Sequence, residues 1–132
     1  MTERELCKLA IDAMGCAYAP YSRHTVGAAL LSKSGKVYLG GNVENAAYSP
    51  TVCAERTAFV KAVSEGEREF LMLAVAGGKQ QKISGACFPC GVCRQVMAEF
   101  CKGDFAVVLG NDEVVTRHSL AELLPLSFAL ED

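Results

Sequence analysis

Thr25-Val26-Gly27-Ala28-Ala29-Leu30-Leu31 is apolar on both of the faces that a β-strand would present. A strand of this kind lies inside a domain, with cover on each side of its sheet. The turn pair Ser34-Gly35 follows, and then Lys36-Val37-Tyr38-Leu39-Gly40, so the two runs read as a hairpin. Upstream, Leu6, Leu9, Ala10, Ala13, Met14 and Ala17 recur at helical spacing and leave Glu3, Lys8 and Asp12 on the wet side, which predicts a helix over 3–17. Thr2 and Glu5 have the spacing of a capping box, and Ala19-Pro20-Tyr21-Ser22 is the turn that ends the segment. Downstream, the polar loop Asn42-Val43-Glu44-Asn45 leads to a helix over 53–63, with Ala54, Ala58, Phe59 and Ala62 on its inner face. A strand over 70–76 is closed by Gly77-Gly78, and a helix runs from Pro89 to Phe100. A strand over 105–109 reverses at Asn111-Asp112 into an antiparallel Val114-Val115-Thr116, and a short helix over 119–123 precedes the tail. Strands alternating with helices predict an α/β fold, a three-layer α/β/α arrangement around a mixed five-stranded sheet.

At 132 residues the chain is long enough for one domain over 1–132, and with 51% hydrophobic and 21% charged residues it reads as a folded globule. The net charge of −2 provides no basic footprint for a nucleic-acid backbone. Met1-Thr2-Glu3-Arg4-Glu5 opens straight into an amphipathic pattern with no signal peptide, and no apolar run reaches membrane-spanning length, so a soluble cytoplasmic protein is expected. In a reducing compartment, the seven cysteines call for metal binding or burial rather than disulfides.

Cys53-Ala54-Glu55-Arg56 opens one predicted helix and Pro89-Cys90-Gly91-Val92-Cys93 opens another. Cys90 and Cys93 are one helical turn apart, so their sulfurs share a face and can grip one ion, with Cys53 as a third thiolate from the other helix. Helix N-termini stabilise thiolates, and Arg56 offsets the negative charge that three of them leave on a dication. Three sulfurs and one open position suit a catalytic zinc, and Glu55 is near enough to exchange protons with a water there. Other readings stay open on these residues alone. A CxxC pair also serves as a redox dithiol or a structural half-site, and Cys87 with Cys90 is a second CxxC that would allow a closed four-cysteine site. Cys7, Cys16 and Cys101 are expected as buried small hydrophobes, and His118 as an exposed loop residue.

From Tyr18-Ala19-Pro20-Tyr21-Ser22 to Leu123-Leu124-Pro125 the chain resembles the small, homotetrameric cytidine deaminases, above all in Cys53-Ala54-Glu55-Arg56 and Pro89-Cys90-Gly91-Val92-Cys93-Arg94-Gln95. The chemistry and the Pro-Cys-x-x-Cys signature are general knowledge of zinc deaminases. The resemblance implies a cytidine deaminase-like fold and hydrolytic deamination of cytidine or deoxycytidine by a zinc-activated water, in pyrimidine salvage. It implies Cys53, Cys90 and Cys93 as zinc ligands, Glu55 as proton shuttle, and the Ala54 N–H as donor to the base carbonyl. Asn42 and Glu44 match positions that hold the sugar 3′-hydroxyl, an amide and a carboxylate offering donor and acceptor. Phe128 and Tyr48 match aromatics that reach the pocket of a neighbouring subunit in a homotetramer with shared sites.

His24 stands where these enzymes usually carry a phenylalanine near the base, which points to altered base selectivity or tolerance of substituted pyrimidines. The alternative substrate is a modified cytidine or a cytosine-nucleoside antibiotic of the blasticidin kind, against which the Asn42-Val43-Glu44-Asn45 loop argues. A polynucleotide editor is disfavoured by the missing basic face and by the antiparallel last strand pair. A thiol redox protein would leave Cys53 and Glu55 without a role.

Overall fold

The chain, seen in a computed structural model, is described over residues 1–111 and 113–130. Helix α1 (Glu3–Ala13) starts at the expected capping box: Thr2 Oγ1 accepts from Glu5 N, and a Glu5 carboxylate oxygen accepts from Thr2 N, both at 3.1 Å. It is shorter than its periodicity suggests, because Met14–Cys16 tightens into a 3₁₀ turn. Strands β1 (His24–Ser32) and β2 (Val37–Gly41) form the predicted hairpin. Helix α2 (Ala54–Ser64) follows, then β3 (Phe70–Lys79), α3 (Gly91–Phe100), β4 (Ala106–Gly110), β5 (Val115–Ser119) and the short α4 (Leu120–Leu123).

The sheet order is β2-β1-β3-β4-β5, with β3 and β4 parallel and every other pair antiparallel. The three-layer mixed sheet read from the sequence is therefore borne out. Alternation along the central strands sets the two layers. Leu30, Leu73, Val75, Val107 and Leu109 face α2 and α3 in one buried cluster with Phe59 and Met97. Ala29, Ala74, Ala76 and Val108 face α1 in the other, and the small side chains there let Leu6, Ala10 and Met14 close onto the strands. Phe59 sits among Phe70, Phe100 and Phe105 at centroid separations of 5.1 to 6.3 Å.

Two close approaches place the functional end of the sheet. At Gly40 of β2, a β-carbon would run into the backbone of Ala54 and Ala58, so α2 lies directly on the strand. Overpacking of this kind costs about 1–3 kcal/mol. The second corrects the sequence reading: Gly77-Gly78 does not end β3 but lies within it. A side chain at either position would strike Cys87 Sγ or the Lys82 carbonyl, because the loop after β3 folds back over the strand. The glycine pair makes room for a loop rather than punctuating a strand.

Pro89 precedes α3 instead of opening it; Cys90 is the N-cap. At the last reversal Asn111 Oδ1 accepts from Glu113 N and Val114 N at 2.8 Å, while Asp112 lies outside the described residues. His118 belongs to β5 and is only partly exposed, not a loop residue, because Val114-Val115-Thr116 extends into a strand as long as β4.

At the far end, Glu67 clamps the hairpin to the α2–β3 connection. Its carboxylate accepts from Ser32 and Ser34 at 2.6 Å and from Tyr38 Oη at 2.9 Å. The two serine hydroxyls, ahead of the tyrosine, hold its carboxyl below the usual range. A depressed carboxyl stabilises the fold above its unfolded pKa, and that contribution is lost as pH falls through the folded value. Glu67→Gln is accordingly expected to lower Tm at neutral pH, the gap from wild type closing as thermal melts are taken to acid pH.

Candidate active site

Both long helices on the larger core layer begin with a cysteine at the N-cap. Cys53 caps α2 and Cys90 caps α3 in extended conformations, and neither side chain makes a capping hydrogen bond to its own helix backbone. The first-turn N–H groups thus lack a side-chain acceptor, and both positive helix ends meet the same sulfurs. Cys53 Sγ is 3.6 Å from Cys90 Sγ, Cys90 Sγ is 3.4 Å from Cys93 Sγ, and the three lie within 4.8 Å of one another. Arg56 Nη2 approaches Cys53 Sγ at 3.6 Å and donates to the Thr51 carbonyl at 3.3 Å. A hydrogen bond from Cys93 foremost, with Arg56 and Cys90 adding to it, draws the Cys53 thiol down to about 5. The same bond, with burial, pushes Cys93 upward.

A set of soft sulfur donors at two helix N-termini, with a guanidinium beside them, fits a zinc ion with one coordination position left for solvent. Cys87 stays out of the cluster. Its sulfur lies against Gly77, and burial pushes its thiol up to about 11, so the structure does not assemble the four-cysteine alternative among the described residues.

Beside the cluster is a cavity of about 260 Å³ lined by His24, Val26, Asn42, Thr51, Cys53, Ala54, Glu55, Cys87, Phe88 and Cys90. Glu55, in the first turn of α2, is only 4% exposed, and burial, reinforced by the Cys53 charge, pushes its carboxyl up to about 7. A carboxyl titrating near neutrality can both accept and return a proton.

Asn42 is in the cavity wall and braces it: Oδ1 accepts from Val26 N at 2.8 Å and Nδ2 donates to the His24 carbonyl at 2.9 Å. Glu44 is not in this cavity. It lines an adjoining one of about 430 Å³ with Tyr21, Ser22, Tyr48 and Thr51, and Thr51 belongs to both. Its carboxylate closes the turn at 21–22, accepting from Tyr21 N at 2.9 Å and from Ser22 N and Oγ. The Ser22 hydroxyl is the main reason its carboxyl sits low. Tyr48 is exposed at φ +63°, uncommon for a tyrosine, with its ring 6.4 Å from that of Tyr21. Phe128 is 69% exposed and held through its carbonyl, which accepts from Gln95 Nε2 at 3.1 Å. Within one chain these two aromatics face solvent.

A family model of the cytidine and deoxycytidylate deaminase zinc-binding region matches residues 1–109. The chain belongs to that family. A cytidine deaminase of Halalkalibacterium halodurans is 49% identical over 100% of this chain and 98% of its own. The crystal structure of cytidine deaminase from Burkholderia pseudomallei superposes with a TM-score of 0.89 at 46% identity, over 97% of this chain and all of that one. A blasticidin-S deaminase of Bacillus cereus is more distant, at 29% identity over 94% of this chain and 90% of its own.

This member of the zinc-binding deaminase family has cavity residues that periodicity and motif reading passed over. Thr51 and Phe88 lie two residues ahead of Cys53 and Cys90, so proximity to the N-cap cysteines is the signal that was available. Cys16 is exposed rather than buried, since the 3₁₀ turn rotates it away from the face that a continuous helix would bury; Cys7 is buried and Cys101 half-buried. Elemental analysis of purified protein is expected to find one zinc per chain. Cys53→Ser, Cys90→Ser and Cys93→Ser should each lower that occupancy, and Cys87→Ser should leave it in place.

Proposed function

We propose that the chain hydrolyses cytidine and deoxycytidine to uridine and deoxyuridine, releasing ammonia. The observation that carries this reading is the buried Glu55 carboxyl set beside a three-cysteine cluster in a nucleoside-sized cavity. Identity of about half the residues with a cytidine deaminase over the full chain supports it.

Cys53, Cys90 and Cys93 hold the zinc, with Arg56 compensating their charge. Zinc, when bound, supplies the Lewis acidity that makes water a nucleophile near neutral pH. Glu55 takes one proton from the attacking water and delivers it to the ring nitrogen next to the amino-bearing carbon. It then takes the second from the hydroxyl so added and delivers it to the amine, which leaves as ammonia while the carbonyl forms. The Ala54 N–H, in the unpaired first turn of α2, holds the base carbonyl. Asn42 has a second Nδ2 hydrogen for the sugar hydroxyl, and Glu44 approaches the same hydroxyl from the adjoining cavity across Thr51.

Four copies complete the enzyme in this reading, with Tyr48 and Phe128 reaching a neighbour's site. That assembly covers apolar side chains which a single chain leaves exposed, Tyr48, Phe128 and Leu130 among them. Among the described residues no helix is long and apolar enough to cross a membrane, in keeping with cytoplasmic pyrimidine salvage.

Ultraviolet absorbance of cytidine mixed with zinc-loaded protein tests the reaction. Conversion to uridine is expected, and Glu55→Gln should lower kcat by about 10²–10⁴ while keeping its zinc. Absence of turnover by the loaded wild type would exclude the substrate. His24 is in the cavity wall and presents a polar ring in place of an apolar one. His24→Phe is therefore expected to change the ratio of kcat/KM between cytidine and ring- or amine-substituted cytidines, and an unchanged ratio removes His24 from selectivity.

A further inference from the structure

Among the described residues Phe88 is the only benzene ring lining the cavity, and its environment is unusual for a phenylalanine. The residues on either side of it are anchored. Cys87 is pressed against Gly77, and Pro89 is fully buried. Phe88 between them is 57% exposed. Yet the ring is not unsupported: His118 of β5 meets it edge to face, with centroids 5.9 Å apart and planes at 65°.

The imidazole is itself oriented from both sides. Nε2 lies 3.2 Å from Thr116 Oγ1, which also donates to the Leu109 carbonyl, and Nδ1 lies 3.8 Å from the Glu122 carboxylate on α4. A chain of contacts thus runs from the outer edge of the sheet, through His118, to an aromatic ring at the cavity.

We propose that Phe88 is a specificity-determining residue whose ring packs against the nucleobase, and that His118 is a positioning residue that holds it there. The inference rests on the nucleoside reading above. The polar groups of the cavity address the edges of a pyrimidine; a planar heteroaromatic also needs a surface for its face. Val26 and Ala54 are too small to provide one, and His24 provides a polar one. A phenyl ring kept partly in water and braced from behind supplies that surface at low ordering cost, and bases stack on such rings.

The test measures kcat and KM for cytidine, with zinc content and subunit mass, for wild type, Phe88→Leu, Phe88→Ala, His118→Ala and the double variant Phe88→Ala/His118→Ala. Phe88→Ala is expected to raise KM about tenfold, with a smaller effect on kcat and with zinc and assembly unchanged. Phe88→Leu, which keeps apolar bulk without a π-face, should fall between. His118→Ala should raise KM only while Phe88 is present, so the double variant should match Phe88→Ala; a structural role for His118 alone would add its penalty in both backgrounds. A KM for Phe88→Ala within about twofold of wild type, additive penalties, or a loss accompanied by altered zinc content or assembly would each overturn the proposal. A wild type that does not turn over cytidine overturns the substrate reading, and this inference with it.

Discussion

Two helices that start at the same point are the constraint on which the remainder of this molecule depends. Their positive ends would repel one another and waste unpaired N–H groups, were it not for the sulfurs between them. The arrangement uses the same spacing as ordinary helix capping. Thr2 with Glu5 and Ser119 with Glu122 show that N-cap and third-residue side chains converge, and Cys90 with Cys93 repeats that geometry with sulfur in place of oxygen. What differs is the partner. The capping boxes close on their own backbone, whereas the cysteines turn away from it and toward Cys53 on the other helix.

The sheet makes that convergence possible. Small residues on the α1 side and larger ones on the other give the two layers different thicknesses, and the larger layer holds α2 and α3. Direct contact of α2 with β2 at Gly40 fixes how far the Cys53 end projects. At the opposite end, Glu67 joins the hairpin to the segment after α2, so the helix is tied to the same hairpin at both ends. Glu55 then lies beneath the surface as a consequence of where α2 must start, and its raised pKa follows first from that burial, with the Cys53 charge adding to it.

Most of the fold was legible because it depends on patterns within single segments. The two-faced apolar run at 25–31, the hairpin turn and the helical spacing of Ala54, Ala58, Phe59 and Ala62 each describe one element and its cover. The cysteine positions were legible for a similar reason, since a spacing of three on a helix is local geometry. Errors arose where the deciding contact was distant in sequence. Gly77-Gly78 reads as a terminator until the returning loop is seen above it. His118 reads as an exposed loop residue until β5 is paired with β4 and its ring meets Phe88. That Asn42 and Glu44, two residues apart in one loop, line separate cavities that adjoin at Thr51 is likewise invisible until the turn at 21–22 closes on Glu44. No single-segment pattern carries any of these contacts.

The loop over the glycine pair is attached to the sheet mostly through main-chain atoms, with the hydroxyls of Thr25 and Ser84. Ser84 N and Oγ both donate to the Gly77 carbonyl, at 2.9 and 3.0 Å, Thr25 Oγ1 donates to the Gly78 carbonyl at 3.2 Å, and Gln81 N donates to Thr25 Oγ1 at 3.0 Å. Few of these bonds depend on which side chains the loop points outward. Its path therefore depends little on its outward side chains, so Phe88, unlike Cys87 beneath it, can be exchanged without disturbing the strand. The molecule in effect separates a chassis held by main-chain bonds from a rim whose outward side chains those bonds do not use.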